Sequence, residues 1–419
     1  MSYTIGIILL ALAILISVSL HEAGHMGTAK MFGMKVTKYF VGFGPTLWSF
    51  KKGDTEYGVK GVPLGGFVKI VGMTPQDDDV EPEDEDRVMW KYPVWKRTVV
   101  MAAGSVVHFI IAFLIFWGVA ANAPQENPEN LGRYATTAEE QAAIPPYITV
   151  GTCVTVDLKG KSCNGLDGPA YAAGLRDNDR ITDIGGTPIN SYADLVNTIR
   201  VLKPGEQVPF SYVRDGQSHI VAVTPVGASR PPVDDPRGKV TEVAVVGLGA
   251  NFDPALPSEV QYNAIEALPV AGDMTGQVFT GVLDSIKKFP EKIPGLWNAI
   301  TGGERDPDSP VSVVGASRIG GELFERDLYT AMFMVIASLN LFVGLFNLLP
   351  LLPLDGGHIA IAWFEKIRSW VYARFGKKDP GRVDYLKLMP VTYTVILIFG
   401  AFTLLTVTAD FVNPITLFK

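Results

Sequence analysis

ILISVSLHEAGHMGTAK, Ile14 to Lys30, decides how this chain is read. It closes an apolar run that begins at Tyr3 and stays uncharged through Leu20, then delivers His21, Glu22 and His25. Ionisable groups at membrane depth are costly and therefore rare. Residues 3–20 resemble a signal peptide in hydropathy, but they lack a basic leader and a small-residue cleavage site. The stretch is therefore read as a retained span.

The composition supports a membrane protein. The chain has 419 residues, of which 47% are hydrophobic and 19% charged, and its mean hydropathy is +0.22. Three more stretches are long and apolar enough to cross a bilayer, which needs roughly 17–25 residues: 99–121, 329–354 and 389–408. A net charge of -7 argues against a nucleic-acid partner, since no basic excess is present to neutralise phosphates. Lys and Arg crowd the loops between spans one and two and between spans three and four. The positive-inside rule then makes both loops cytoplasmic and both termini extracytoplasmic.

His21 and His25 are four residues apart and share one helix face. Two imidazoles in that arrangement can hold zinc, and the intervening Glu22 can act as general base on metal-bound water. A catalytic zinc commonly has three protein ligands and one open position. Spans one and three run in the same direction, so the NLLPLLPLDGGH that ends span three brings Asp355 to the histidines. Pro350 and Pro353 are expected to break that helix, Gly356 and Gly357 to let the backbone turn close to the metal, and Asn347 to hydrogen-bond substrate.

Elsewhere the first loop alternates β-rich runs with Gly-Asp and Gly-Pro breaks, which predicts a membrane-associated β-hairpin. The acidic run DDDVEPEDED (77–86) is expected to be a solvated linker. Residues 145–250 read as a β-rich module with one helix near 191–202, N-capped by Ser191 with Asp194 in capping-box position. Residues 265–300 have helical spacing, with Pro290 and Pro294 expected to interrupt an element that either lies on the outer membrane surface or packs against the β-rich module. Cys153 and Cys163 are either a disulfide or two free thiols, and an extracytoplasmic location favours the disulfide.

HEAGH in the first span with NLLPLLPLDGGH in the third resembles the site-2 proteases, the membrane-embedded zinc metalloproteases of regulated intramembrane proteolysis. FVGFGPTLWSF, DTEYGVKGVPLGGFVKIVG and SPVSVVGASRIGG are similar to that family too, and the single central module is most like its actinobacterial members. The resemblance implies a polytopic α-helical membrane protein with four transmembrane helices, a membrane-associated β-hairpin and an extracytoplasmic β-rich PDZ domain. It divides the chain into 1–28 with HEAGH, a cytoplasmic loop 29–98, a helix 99–121, a PDZ-like module 145–250, a surface linker 260–328, and helices 329–358 and 389–410.

It further implies one catalytic Zn2+ held by His21, His25 and Asp355, Glu22 as base, and Asn347 in substrate handling. The hairpin, 41–72 with Gly42, Gly44, Gly65 and Gly66, would add the unwound substrate as a strand. Substrates would be single-span proteins of the bacterial cytoplasmic membrane, such as anti-sigma factors, after a first extracytoplasmic cut. Two departures stand out: Leu352 occupies a position where the family commonly has proline, and Ser105 and His108 replace its Gly-Pro…Asn pattern. His108 is expected to be a packed, hydrogen-bonded residue and His358 a hydrogen-bond partner of a ligand. The alternative function is an inactive receptor or chaperone that works through its PDZ module.

Overall fold

The computed structural model describes residues 2–73, 80–135, 137–155, 167–233, 239–306 and 309–417. They form two compact units, 1–123 with 263–419, and 124–262. Within the first unit α1 (Ser2–Met31) runs unbroken through the HEAGH. Its Ile5, Ile8, Leu12 and Ile16 remain exposed, an apolar surface that only lipid would cover.

The hairpin is more elaborate than two strands side by side. β1 (Val36–Lys52) and β2 (Thr55–Ile70) turn at Gly53 and Asp54, and each strand doubles on itself. Residues 36–41 pair with 66–70 on one side, as in Phe40–Phe67. On the other side they face 56–59, with Lys38 to Glu56 and Val41 to Val59. Residues 46–52 then pair with 55–60. Four segments thus lie in the order 46–52, 55–60, 36–41, 66–70, with 46–52 and 66–70 outermost.

The described part of the acidic run is exposed, as expected of a solvated segment, except at Asp84. Pro82–Arg87 forms a tight 3-10 turn and Asp84 is buried. Lys35 donates to Asp84, which holds the lysine ammonium above its usual pKa. Arg87 reaches Asp54 at 2.8 Å, and its carbonyl accepts the Lys35 N–H. Asp84 is thus held by a lysine far off in sequence, while Glu85 and Asp86 pair with the nearby Lys91 at 3.3 Å each. Residues 77–79 of the run lie outside the described residues. The second candidate span is α2 (Val94–Asn122), which begins just after Pro93.

The second unit contains β3 (Gln125–Glu126), α3 (Ala138–Ala143), β4 (Ile148–Val150), α4 (Pro169–Ala173), β5 (Arg180–Ile184), β6 (Thr187–Pro188) and α5 (Tyr192–Arg200). It continues with β7 (Val208–Arg214), β8 (Gln217–Val223), β9 (Val226–Arg230), β10 (Thr241–Val245), β11 (Leu248–Ala250) and β12 (Glu259–Val260). The largest sheet has the order β6-β5-β7-β8, and β10-β9, β11-β4 and β12-β3 form short pairs. Its core gathers Ile148, Leu175, Ile181, Leu195 and Phe210, each worth about 1.5–3 kcal/mol when fully buried. The Ser191 capping box with Asp194 is present as the sequence suggested. Cys153 is not a free thiol, and Cys163 lies outside the described residues.

Back in the first unit, α6 (Ala267–Ile300) is one continuous helix despite Pro290 and Pro294. A proline removes one i→i−4 bond and bends a helix, and the rest of a 34-residue ladder carries the helix through. It is exposed along much of its length and packs on the spanning helices at one point. Ala271 is fully buried in a cluster with Ala112, Phe116, Ala337 and Leu341 of the spanning helices, because small residues let the backbones approach.

α7 (Val313–Glu325) starts at the Ser312 cap. A Cβ on Gly6 of α1 would sit 2.6 Å from Phe324 Cβ and 2.7 Å from the Gly320 carbonyl, so α1 and α7 meet backbone to backbone. α8 (Tyr329–Asn347) ends seven residues before the expected boundary at Leu354, since Pro350 cannot continue it. α9 (Asp355–Arg374) opens on the aspartate, and α10 (Tyr385–Val412) is the last candidate span. α1, α2, α8 and α10 are the four helices, among the described residues, long and apolar enough to cross a membrane. At the far end of α10 Asp410 is buried against Arg305 at 2.7 Å.

Candidate metal centre

Three segments far apart in sequence converge on one point. Nε2 of His21 and Nε2 of His25 lie 3.0 Å apart, and Asp355 Oδ2 is 3.3 Å from each. This is the one group of His, Cys, Asp or Glu among the described residues whose donor atoms converge in this way, all within 4.8 Å of one another. α1 supplies both histidines from one face, and the break between α8 and α9 supplies the aspartate.

Local sequence makes the break possible. A Cβ on Gly356 would stand 2.2 Å from the Leu348 carbonyl oxygen, and one on Gly357 2.7 Å from Leu351. Only glycine lets the 348–354 loop fold flat against the first turn of α9. Asp355 is thereby fixed at a helix start, facing α1.

The electrostatics of the cluster fit a cation. The Val100 carbonyl, 2.7 Å from His25 Nδ1, can only accept, so that nitrogen carries a proton. In the neutral ring Nε2 is then a bare lone pair, the form in which imidazole binds metal. It points at another imidazole nitrogen and a carboxylate oxygen, while Asp355 Oδ2 is buried without a hydrogen bond. Lone pairs this close repel unless a positive charge lies among them. Two imidazoles and a carboxylate are also a known donor set for catalytic zinc.

Glu22 stands beside the cluster on α1. Its Oε2 accepts the Val68 N–H at 3.0 Å, so the edge segment 66–70 of the hairpin orients the carboxylate. A Cβ on Gly66 would meet the Phe40 carbonyl at 3.0 Å and Glu22 Cγ at 3.5 Å. Gly42, Gly44 and Gly65 take positive φ angles of 87°, 82° and 124°. Gly65 lies near Phe43 and Val18, while Gly44 lies near Val62. Of the four hairpin glycines, Gly66 is the one beside Glu22.

Asn347 is the half-buried last residue of α8 and makes no side-chain hydrogen bond among the described residues. His108 is buried and hydrogen-bonds Asn340 Oδ1 at 2.8 Å, with its ring 5.0 Å from that of His21. It is packed as expected and outside the donor cluster. His358 pairs with the Tyr385 hydroxyl at 3.3 Å and, among the described residues, hydrogen-bonds none of the three donors, contrary to its expected place beside a ligand.

Sequence reasoning missed several participants. Val68 and Val100 act through backbone atoms, which no motif marks. Gly104 lies under the His21 ring, where a Cβ would be 2.4 Å from the imidazole. The signal for it was a glycine in an apolar span. Asn340 could have been found as a polar residue in a span.

Comparison with known proteins agrees with this geometry. The model of Peptidase family M50 matches residues 9–379. The chain belongs to peptidase family M50. It is 41% identical to the zinc metalloprotease Rip1 of Mycobacterium tuberculosis over 424 residues, covering all of both chains. The Rip1 of Mycolicibacterium smegmatis is 42% identical over 430 residues, again at full coverage. A putative zinc metalloprotease of Vibrio cholerae is 26% identical, covering 86% of this chain and 90% of its own.

Proposed function

We propose that this protein is an intramembrane zinc endopeptidase with His21, His25 and Asp355 as ligands and Glu22 as general base. The observation that carries the reading is the convergence of three lone-pair donors, with Glu22 next to them, on a helix apolar enough to span a bilayer. Zinc held there supplies a bound water of pKa near 7 and polarises the scissile carbonyl.

The chain's own residues do the rest. His25 is held by Val100 and Asp355 by its glycine-flanked loop, so both donors are oriented before substrate arrives. Glu22 Oε2 is anchored by Val68, which leaves Oε1 to take the proton of the attacking water and pass it to the leaving amine. A substrate helix must unwind to expose its backbone, and freed N–H and C=O groups cannot be left facing lipid. The outer edge of 66–70 offers them strand pairing beside Glu22, with the Val68 N–H already given to that carboxylate. Asn347, Gly42, Gly44, Gly65 and Gly66 are assigned to substrate handling in this reading.

The β-rich unit is read as a PDZ-like module that admits or captures trimmed substrates. The loop charges support an extracytoplasmic module and termini in a bacterial cytoplasmic membrane. Substrates are single-span proteins already shortened outside, such as anti-sigma factors. The test is co-expression with truncated single-span reporters and immunoblotting for a shortened product. Cleavage by the wild type that disappears in Glu22→Gln is expected. Cleavage that survives would remove Glu22 from the mechanism.

A further inference from the structure

α1 and α2 meet in layers one helical turn apart. His25 faces the Val100 carbonyl, His21 lies over Gly104, and Ser17 and His108 share the walls of a small cavity in the next layer. The two imidazoles of the cluster are not treated alike. His25 Nδ1 donates to Val100, whereas His21 Nδ1 is buried and has no hydrogen bond among the described residues. With Nε2 of His21 offered to the cluster as a lone pair, Nδ1 of the neutral ring carries the proton. A metal-ligating imidazole almost always gives that second N–H to an acceptor. Here one is owed.

A Cβ on Gly104 would stand 2.6 Å from His21 Nδ1, so this nitrogen rests against α2. His108 follows four residues later on the same face of α2. Its ring centroid is 5.0 Å from that of His21, with the planes tilted by 43°. The tautomer of His108 is set from its far side. Asn340 Nδ2 donates to the Ile336 carbonyl, which leaves Oδ1 as the atom 2.8 Å from His108 Nδ1. An amide oxygen can only accept, so Nδ1 carries the proton. His108 Nε2 keeps its lone pair and points away from Asn340. The cavity beside it measures about 30 Å³ and has Ser17, His108 and Asn340 as its polar walls. One water needs about 10–15 Å³ and two or more polar partners.

We propose that His108 is the positioning residue of the His21 ligand, accepting the hydrogen bond of His21 Nδ1–H through one water held at this cavity. The chain from Ile336 through Asn340 and His108 then does for one ligand what the Val100 carbonyl does for the other. This rests on the zinc reading above and deepens it by naming what orients the second imidazole. Ser105, next to Gly104, is also buried without a partner. A helical serine can turn its hydroxyl to a carbonyl of its own helix, and the cavity borders His108 instead.

The test uses the full chain in lipid nanodiscs and measures zinc affinity by chelator competition. His108→Phe keeps a ring and removes the acceptor, and affinity should fall about 10–100-fold. His108→Gln, whose side-chain oxygen can accept, should recover most of that loss. A packing role predicts the reverse order, because Phe fills the space of the ring and Gln does not. Zinc-loaded protein with 15N-labelled histidine should show, by solid-state NMR, a water contact at His21 Nδ1–H that His108→Phe abolishes.

Wild-type affinity in His108→Phe, or an equal loss in the Phe and Gln variants, would overturn the proposal while the metal centre stands. So would a loss in Ser105→Ala with His108→Phe unchanged, which would give the bond to Ser105. A wild type that holds no zinc takes the metal reading down, and the proposal with it.

Discussion

Asp355 and Asp179 are both carboxylates withdrawn from water, one in the membrane unit and one in the β-rich unit, and their surroundings differ in kind. Asp179 has a side chain only 1% exposed. It accepts from Arg214 Nε and Nη2, both at 2.7 Å, and from the Arg176 N–H at 2.8 Å. Nothing about it is left over. Asp355 instead faces two imidazole nitrogens, and its buried Oδ2 has no hydrogen bond. A satisfied buried charge stabilises a shape, whereas an unsatisfied one awaits a ligand.

The contrast breaks first at the metal. Asp355→Ala should lose both zinc and proteolysis, while Glu22→Gln should keep zinc and lose about 10²–10⁴-fold in turnover. Metal content by mass spectrometry beside reporter cleavage separates the two, and equal zinc loss in both variants would mean that Glu22 is a ligand. A chelator should reproduce the Asp355→Ala phenotype and added zinc should reverse it. Next in size, Asp179→Ala removes a buried acceptor from Arg214 and the Arg176 N–H and should destabilise the β-rich unit by about 1.5–3 kcal/mol. Limited proteolysis of the full chain should show that unit opening with zinc content unchanged, and zinc lost in parallel would erase the distinction drawn here.

A smaller effect is expected from Gly104→Ala. The added methyl would press on the His21 ring and should weaken metal affinity about 10–100-fold, as loss of ligand-orienting groups does. Chelator competition measures this, and wild-type affinity would show that α2 can yield. The smallest change is Asp84→Ala, which frees Lys35. Faster backbone exchange near 82–91 with intact zinc content is the expected result, and unchanged exchange would show that the turn stands without the pair.

How much of this was legible depended on how local the information was. The three donors and Glu22 could be read because their residue types, the i,i+4 spacing and the loop charges all lie in the sequence. The Ser191–Asp194 cap was legible for the same reason, spanning only four positions. Asp84 was misread because its partner Lys35 is 49 residues away, and composition alone makes eight acids within ten residues look solvated. The continuity of α6 was missed because two prolines were given more weight than the helical ladder on either side of them. Val68, Val100 and Gly104 act through backbone atoms or through a missing side chain, so neither motif nor periodicity marks them.

The seam between α1 and α7 bears on how this sequence can drift over generations. Where Gly6 meets Gly320 and Gly321, even the mildest replacement, alanine, would wedge the two helices apart. Ile5, Ile8 and Leu12, on the lipid side of the same helix, can be exchanged for other branched residues at little cost. A substitution map of α1 should therefore invert the usual order. Its least tolerant position before the histidines would be the one with no side chain, because it sets where the helix carrying His21 and His25 stands.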